Sequence, residues 1–378
     1  MTFTVPPYPY DRLNVLADAV RSAGRQVIDL SIGTPCDPPP RFVLDAMAGS
    51  NAERGYPPSI GTTAFRSAAA AWIERRFGCS IDPTTQLAAC VGTKEFVAGL
   101  PLLLRLAAPE RDVVLHPAVA YPTYAMGALL AGCEPVAVPL NDAGQLDLGS
   151  IDPDHVRRAL CCWVNSPANP GGALTDLGEV SAWGRAHGVL VCSDECYIEF
   201  AWTGPVAADG RPGSTILEHG TDGVLAVHSL SKRSNLAGVR VGCYAGDERV
   251  VGRIAELRKH QGLMVSGPAQ AGAVAAWNDD VHVVEQRERY EGRLDRLAAA
   301  FTAAGHPVAV PAGAFYLWVP VGVDDAWDMT RRLALGTGVI VSPGEFYGDA
   351  GADHLRVAVV RSDEMIDRAA ELVSAGEW

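Results

Sequence analysis

Lysine is scarce in this chain: three of its thirty-one basic residues are lysines, at positions 94, 232 and 259. Lys232 ends the run Ser229-Leu-Ser-Lys232, which follows the apolar stretch Val224-Leu-Ala-Val-His228 and precedes Arg240 by eight residues. A primary amine at a strand end, with hydroxyls and a guanidinium close by in sequence, can condense with a carbonyl group. The same amine, once released, can serve as a general base. Lys94 reads instead as part of the turn Gly92-Thr-Lys94, and Lys259 as part of the basic cluster Arg258-Lys-His260.

Other polar residues gather at corresponding places along the chain. Val91-Gly-Thr-Lys-Glu95 ends one apolar run and opens a helical pattern, a setting in which free backbone N–H groups, a hydroxyl and a helix dipole can receive a phosphate. Alone the turn is also compatible with a simple cap at Thr93. Asn165-Ser-Pro-Ala-Asn-Pro-Gly-Gly172 and Ser193-Asp-Glu-Cys-Tyr197 end two further runs. Asp194 is expected at the buried end of a strand, where a carboxylate needs a partner: a helix terminus, an ion pair or a protonated ring nitrogen. Tyr121, in Ala120-Tyr-Pro-Thr-Tyr124, could pack in a core or stack on a ligand.

Seven short runs must position these groups: 87–91, 112–116, 134–138, 160–164, 189–192, 224–228 and 239–244. They are apolar on both faces and alternate with helix-period segments, which predicts an α/β architecture with a largely parallel sheet between helical layers. In such sheets ligands bind beyond the carboxyl ends of the strands, where the polar residues above fall. After about Gln270 the pattern changes. Tyr290, Leu294, Leu297 and Phe301 form an apolar helical stripe closed by Gly305, and strand-like pieces at 314–319, 338–341 and 355–360 complete a second, α+β lobe. The expected division is a large domain over 41–274 and a small domain made of 1–40 with 275–378.

A formal net charge of −13 argues against nucleic-acid binding, so Arg258-Lys-His260 is expected on a solvated helix face. The first ten residues carry neither a basic n-region nor an apolar core, and no run approaches a membrane span, which predicts a cytoplasmic protein without a secretion signal. The nine cysteines are expected as reduced thiols, with Cys161 and Cys162 in the core, and no metal spacing is present. A Rossmann dehydrogenase fails because no Gly-x-Gly-x-x-Gly follows a strand.

The ordered set resembles the fold-type-I pyridoxal-phosphate (PLP) aminotransferases of class I/II over essentially the whole chain: Gly33, Tyr56, Gly92-Thr-Lys94, Tyr121, Asn169-Pro170, Asp194-x-x-Tyr197, Ser229-Leu-Ser-Lys232, Arg240 and Arg356. The resemblance implies that fold, with a seven-stranded sheet in the large domain, and PLP as cofactor. It implies that Lys232 carries PLP covalently and shuttles a proton, that Asp194 keeps the ring nitrogen protonated, and that Asn169 and Tyr197 bond the ring oxygen. Tyr121 would stack on the ring, and Gly92, Thr93, Lys94, Ser229, Ser231 and Arg240 would gather the phosphate. Tyr56 would reach the phosphate of a neighbouring subunit, implying a homodimer. Arg356 would clamp the substrate α-carboxylate, beside Gly33 and Asn169. Gly171-Gly172 replaces the Thr-Gly of many relatives, which should loosen the turn without removing the Asn169 amide. Longer stretches, 227–238, 258–265, 116–124 and 343–348, resemble actinobacterial N-succinyldiaminopimelate aminotransferases and imply glutamate as donor and N-succinyl-2-amino-6-oxopimelate as acceptor. Arg233, Arg258 and Lys259 are the cations available for distal carboxylates, though a surface position is the expectation for each. A broad aspartate or aromatic aminotransferase, or a C–S lyase of the same fold, is the alternative.

Overall fold

In a computed structural model of the protein, which describes residues 9–376 and 378, the apolar runs become strands. Residues 1–8, on which most of the secretion-signal reading rests, lie outside the described residues. In chain order the strands are β1 (Ile28–Asp29), β2 (Leu87–Cys90), β3 (Val113–Pro117), β4 (Glu134–Val138), β5 (Ala159–Asn165), β6 (Leu190–Asp194), β7 (Val224–Ser229), β8 (Gly242–Gly246), β9 (Tyr316–Pro320), β10 (Val339–Ile340), β11 (Ser342–Pro343) and β12 (His354–Ala358).

The chain divides into two compact units. One comprises Asp37–Glu288 with Ala312–Ala314, the other Met1–Cys36, Arg289–Pro311 and Phe315–Trp378.

The larger unit holds a seven-stranded sheet in the order β2-β8-β7-β6-β5-β3-β4. Pairings β3–β4, β3–β5, β5–β6 and β6–β7 are parallel, and β8 runs antiparallel between β7 and β2, so β2 regains the common direction. Side chains alternate between two buried layers. Val224 and Ala226 of β7 join a core with Phe65, Trp72, Val180 and Ala273, whereas Leu225 and Val227 join one with Phe96, Tyr124, Trp163 and Ile254. With helices on both faces, the inner strands β5 and β7 are buried throughout, and their runs are apolar on both faces up to the polar residues at their ends. The nine cysteines are unpaired, and Cys161 and Cys162 are fully buried.

The smaller unit contains the antiparallel sheet β11-β12-β9 and the parallel pair β1–β10. Tyr290, Leu294, Leu297 and Phe301 are fully buried on the helix Val281–Ala303, as their spacing predicts. Among the described residues no helix is long and apolar enough to cross a membrane.

Two expectations about arginines are overturned. Arg258 is not on a solvated face: only 1% exposed, it bonds both carboxylate oxygens of Glu95. Arg233, expected at the surface or on a substrate, is also buried and bonds Glu199, Asp280 and the Ala276 carbonyl. Burial works against ionisation of Glu199, but the guanidiniums of Arg233, Arg211 and Arg76 outweigh it and hold the carboxyl at about 2. A guanidinium this far from water is tolerated because acids and carbonyls replace its hydration. Lys259 is the cation of this trio left at the surface, paired with Glu256.

Candidate active site

The sheet register brings the polar strand ends of the larger unit to one edge. Cys90 pairs with Gly242 and Gly242 with Ser229, while Asn165 pairs with Asp194 and Asp194 with Val227. The turns that continue from Cys90, Asn165, Asp194 and Ser229, and the one that enters Gly242, therefore share the carboxyl edge of the sheet. Those turns carry Gly92 to Lys94, Asn169, Tyr197, Ser231, Lys232 and Arg240.

The phosphate-type turn is built from Gly92 and Arg240. Gly92 has φ +74° and ψ 150°, and a Cβ placed there would meet the Arg240 guanidinium at 2.1 Å, so the arginine lies directly against a bare backbone. Gly92, not Thr93, is the N-cap residue of the helix Thr93–Arg105, and no side chain caps it. Arg240 has φ +58° and donates to the Ala237 carbonyl at 2.8 Å, with the Ser231 hydroxyl at 3.5 Å. Glu95, the one acid in the first turn, is taken up by the Val91 N–H at 3.0 Å and by Arg258. Arg258 thus removes a negative charge from beside the turn. The donor set left there, helix N–H groups, Thr93, Ser229, Ser231 and Arg240, fits a phosphate.

Lys232 lies in the short helix Leu230–Arg233, whose start is fixed by the Ser229 hydroxyl accepting from the Ser231 N–H at 3.1 Å. Asp194 is buried on the neighbouring strand. It accepts from the Tyr124 hydroxyl at 2.9 Å and from the Cys196 N–H at 3.2 Å. Burial raises the Asp194 pKa above the usual carboxylate range, while hydrogen bonds from Cys196 and Tyr124 and the charge of Lys232 pull it back. A carboxylate in that balance has room to gain from a cationic N–H donor.

Asn165 donates to the Asp194 carbonyl at 2.7 Å and accepts from the Asn169 N–H at 2.7 Å, tying the two loops together. Asn169 and Tyr197 are both buried. Gly172 has φ +71°, so the second glycine of this turn meets a backbone requirement. Tyr121 packs edge-on to Tyr124 at 5.9 Å, and the Lys94 ammonium lies 5.9 Å from the Tyr121 ring. Tyr56 is 96% exposed.

The smaller unit carries Gly33 and Arg356. Arg356, on the central strand β12, is buried against the rings of Tyr316 (4.3 Å) and Tyr347 (4.7 Å) and donates to the Ser31 carbonyl. A Cβ on Gly33 would overlap the Tyr316 hydroxyl at 2.0 Å, so Gly33 admits the ring beside which the guanidinium rests. The Tyr10 hydroxyl, 3.4 Å from Arg356 and 2.9 Å from the Tyr347 hydroxyl, adds a polar group that the sequence did not single out. Tyr124 and Cys196 were likewise missed. Tyr124, three residues after Tyr121 and in the first turn of the helix Thr123–Leu130, offers a second ring at the same strand end, a signal that could have drawn attention to it.

The fold is α/β with a mainly parallel seven-stranded sheet, and comparison with known proteins gives the family. Residues 25–373 match the model of aminotransferase class I and II, and the chain belongs to that family. Its members use PLP. The chain is 41% identical over 375 residues to 4-dedimethylamino-4-oxo-anhydrotetracycline transaminase OxyQ of Streptomyces rimosus, covering 97% of this chain and 98% of that one. It is 32% identical to LL-diaminopimelate aminotransferase 2 of Trichormus variabilis, covering 97% and 95%. An aminotransferase structure from Neisseria meningitidis superposes with a TM-score of 0.89 at 26% identity, covering 99% and 98%. A probable N-succinyldiaminopimelate aminotransferase from Thermus thermophilus gives 0.85 at 28%, covering 97% and 99%.

Proposed function

We propose that this PLP-dependent aminotransferase uses Lys232 as its cofactor-bearing and proton-carrying residue, and that it acts on an α-amino acid donor and an oxo acceptor in two half-reactions. The observation that carries the reading is the position of Lys232 three residues beyond Ser229, at the sheet edge it shares with buried Asp194 and the Gly92–Arg240 turn. When bound, PLP supplies an electron sink for the pair released at the substrate α-carbon. Arg356 holds the substrate carboxylate through paired N–H donors, and a fixed carboxylate orients the Cα–H bond. The Lys232 amine would carry that proton between Cα and C4′ of the cofactor, across the nitrogen that joins them. Asp194 keeps a proton on the ring nitrogen, and Asn169 and Tyr197 donate to the ring oxygen. Tyr121 excludes water from one ring face. Tyr56, so exposed in a single chain, serves a second copy in a homodimer.

For the finer reading we propose glutamate as donor and N-succinyl-2-amino-6-oxopimelate as acceptor, supported by the diaminopimelate and N-succinyldiaminopimelate names of several relatives. A second reading, a ring ketone of the oxo-anhydrotetracycline type as acceptor, is favoured by the identity to OxyQ and by Arg233 and Arg258, both committed to internal acids. Single half-reactions separate them: each amino compound is added to PLP-loaded protein and conversion of the cofactor to its amine form is followed by absorbance. Conversion by N-succinyl-diaminopimelate supports the first reading. Conversion by glutamate without that compound, together with turnover of a cyclic ketone, supports the second. No conversion by any α-amino acid would contradict both.

A further inference from the structure

Resting on the proposed role of Asp194, we infer that Tyr124 is a positioning residue for the cofactor ring: its hydroxyl orients Asp194 and keeps it ionised toward a protonated ring nitrogen. The side chains are on different elements, seventy residues apart, and meet at 2.9 Å in the core. Tyr124 is held from its other sides as well. Its ring stacks on Trp163 of β5 (centroids 5.2 Å, planes 18° apart) and meets Tyr121 edge-on at 5.9 Å. Trp163 pairs in register with Cys192, two residues before Asp194, so the stack and the acid are carried by adjacent strands. The phenol is therefore aimed at the carboxylate by packing that does not depend on the hydrogen bond itself.

The donor is also chemically committed. Burial, and then the neighbouring Asp194 charge, push the Tyr124 hydroxyl well above its ordinary range, so it stays a neutral O–H. Asp194 in turn has been stripped of water, and a buried carboxylate without donors takes up a proton instead of remaining charged. The Cys196 N–H supplies one donor to Oδ1, and Tyr124 supplies one to Oδ2. Removing the phenol would leave Asp194 closer to neutral and weaken its hold on a ring N–H. Tyr124 also touches Tyr121, so one residue orients both the acid at the ring nitrogen and the aromatic proposed for the ring face.

The test compares affinities of the full chain, freed of cofactor, for PLP and for its carbocyclic analogue with C–H in place of the ring nitrogen. The wild-type protein should prefer PLP by about 100-fold, the range of a charge-assisted hydrogen bond in a buried site. Tyr124→Phe keeps the stack on Trp163 and should reduce that preference roughly tenfold, mainly by weakening PLP binding. Site-specific 3-fluorotyrosine at position 124, a stronger donor of nearly the same size, should raise the ratio above the wild-type value. It also supplies the readout should Tyr124→Phe not fold, in which case a ratio no higher than wild type overturns the inference. A Tyr124→Phe protein that loses affinity for both compounds equally, or keeps the full preference, overturns the inference as well: the residue would then be packing alone. No preference in the wild-type protein would refute the Asp194 role itself, a failure distinguishable from that of Tyr124.

Discussion

The guanidinium of Arg240 occupies the space where a side chain on Gly92 would begin, 2.1 Å from an ideal Cβ. The conformation of Gly92, φ +74° and ψ 150°, is itself nearly closed to other residues. One glycine thus shapes the backbone of the turn and makes room for its cation.

Gly92→Ala should therefore cost about 1–3 kcal/mol of stability through backbone strain. The atoms it strikes are the tip of a flexible side chain, so Arg240 should swing aside and the fold survive. PLP affinity should fall at least about tenfold, the effect of withdrawing a paired guanidinium donor from a phosphate. Fluorescence titration of the variant measures it, and wild-type affinity would remove Arg240 from the phosphate site.

Arg356→Ala should leave PLP affinity unchanged while raising KM for the amino donor about 100-fold, because the substrate carboxylate is then deprived of a charge-assisted hydrogen-bonding partner. Arg356→Lys should recover little, since a point charge cannot reproduce the planar fork. Steady-state kinetics with saturating cofactor provide the check. Loss of bound PLP in Arg356→Ala would show that the residue has been misassigned.

Glu195 and His228 lie on the sheet face opposite Asp194 and Ser229, fully buried, with Oε2 and Nε2 3.6 Å apart. Burial raises Glu195 to about 8 and lowers His228 to about 3, so both are neutral near pH 7 and the contact is not an ion pair. Between the unfolded value of 4.5 and about 8 the folded protein holds a proton on Glu195 that the unfolded chain has released, so this group's contribution to stability falls as pH rises. His228 acts in the opposite sense, but only below its unfolded value of 6.5. From 6.5 to about 8 the Glu195 effect stands alone between these two. Glu195→Gln should flatten the loss of thermal stability over that interval. A melting temperature that depends on pH equally in both proteins would contradict the protonated state.

Arg258→Gln should destabilise the fold by about 2–3 kcal/mol, since Glu95 would keep a partly buried charge without its partner. It should weaken PLP binding through the Gly92 turn and leave the ratio of KM values for polyanionic and simple acceptors unchanged. A selective rise in KM for the polyanion would restore Arg258 as a reader of distal carboxylates.

Much of this was legible in the sequence where the cause is local. The run at 160–164 lies within the strand Ala159–Asn165, buried throughout, because an apolar segment between two helical layers leaves little choice. The run at 239–244 was read three residues early: Arg240 adopts a left-handed conformation and the strand starts at Gly242. Long-range partners were not legible. The burial of Arg258 depends on Glu95, 163 residues away, and that of Arg233 on Glu199. Hydropathy alone puts an arginine at the surface, and nothing in a single sequence announces the acid that offsets its desolvation. The Tyr124–Asp194 hydrogen bond escaped for the same reason.

Lys232 is one of three lysines in the chain, which makes its proposed role simple to test. PLP-loaded protein is reduced with borohydride, digested, and the pyridoxyl group located by mass spectrometry among the three lysines. The modification should fall on Lys232 alone, and Lys232→Ala should yield no reducible adduct and no amino transfer. A pyridoxyl group on Lys94 or Lys259, or an adduct persisting in Lys232→Ala, would contradict the assignment of Lys232.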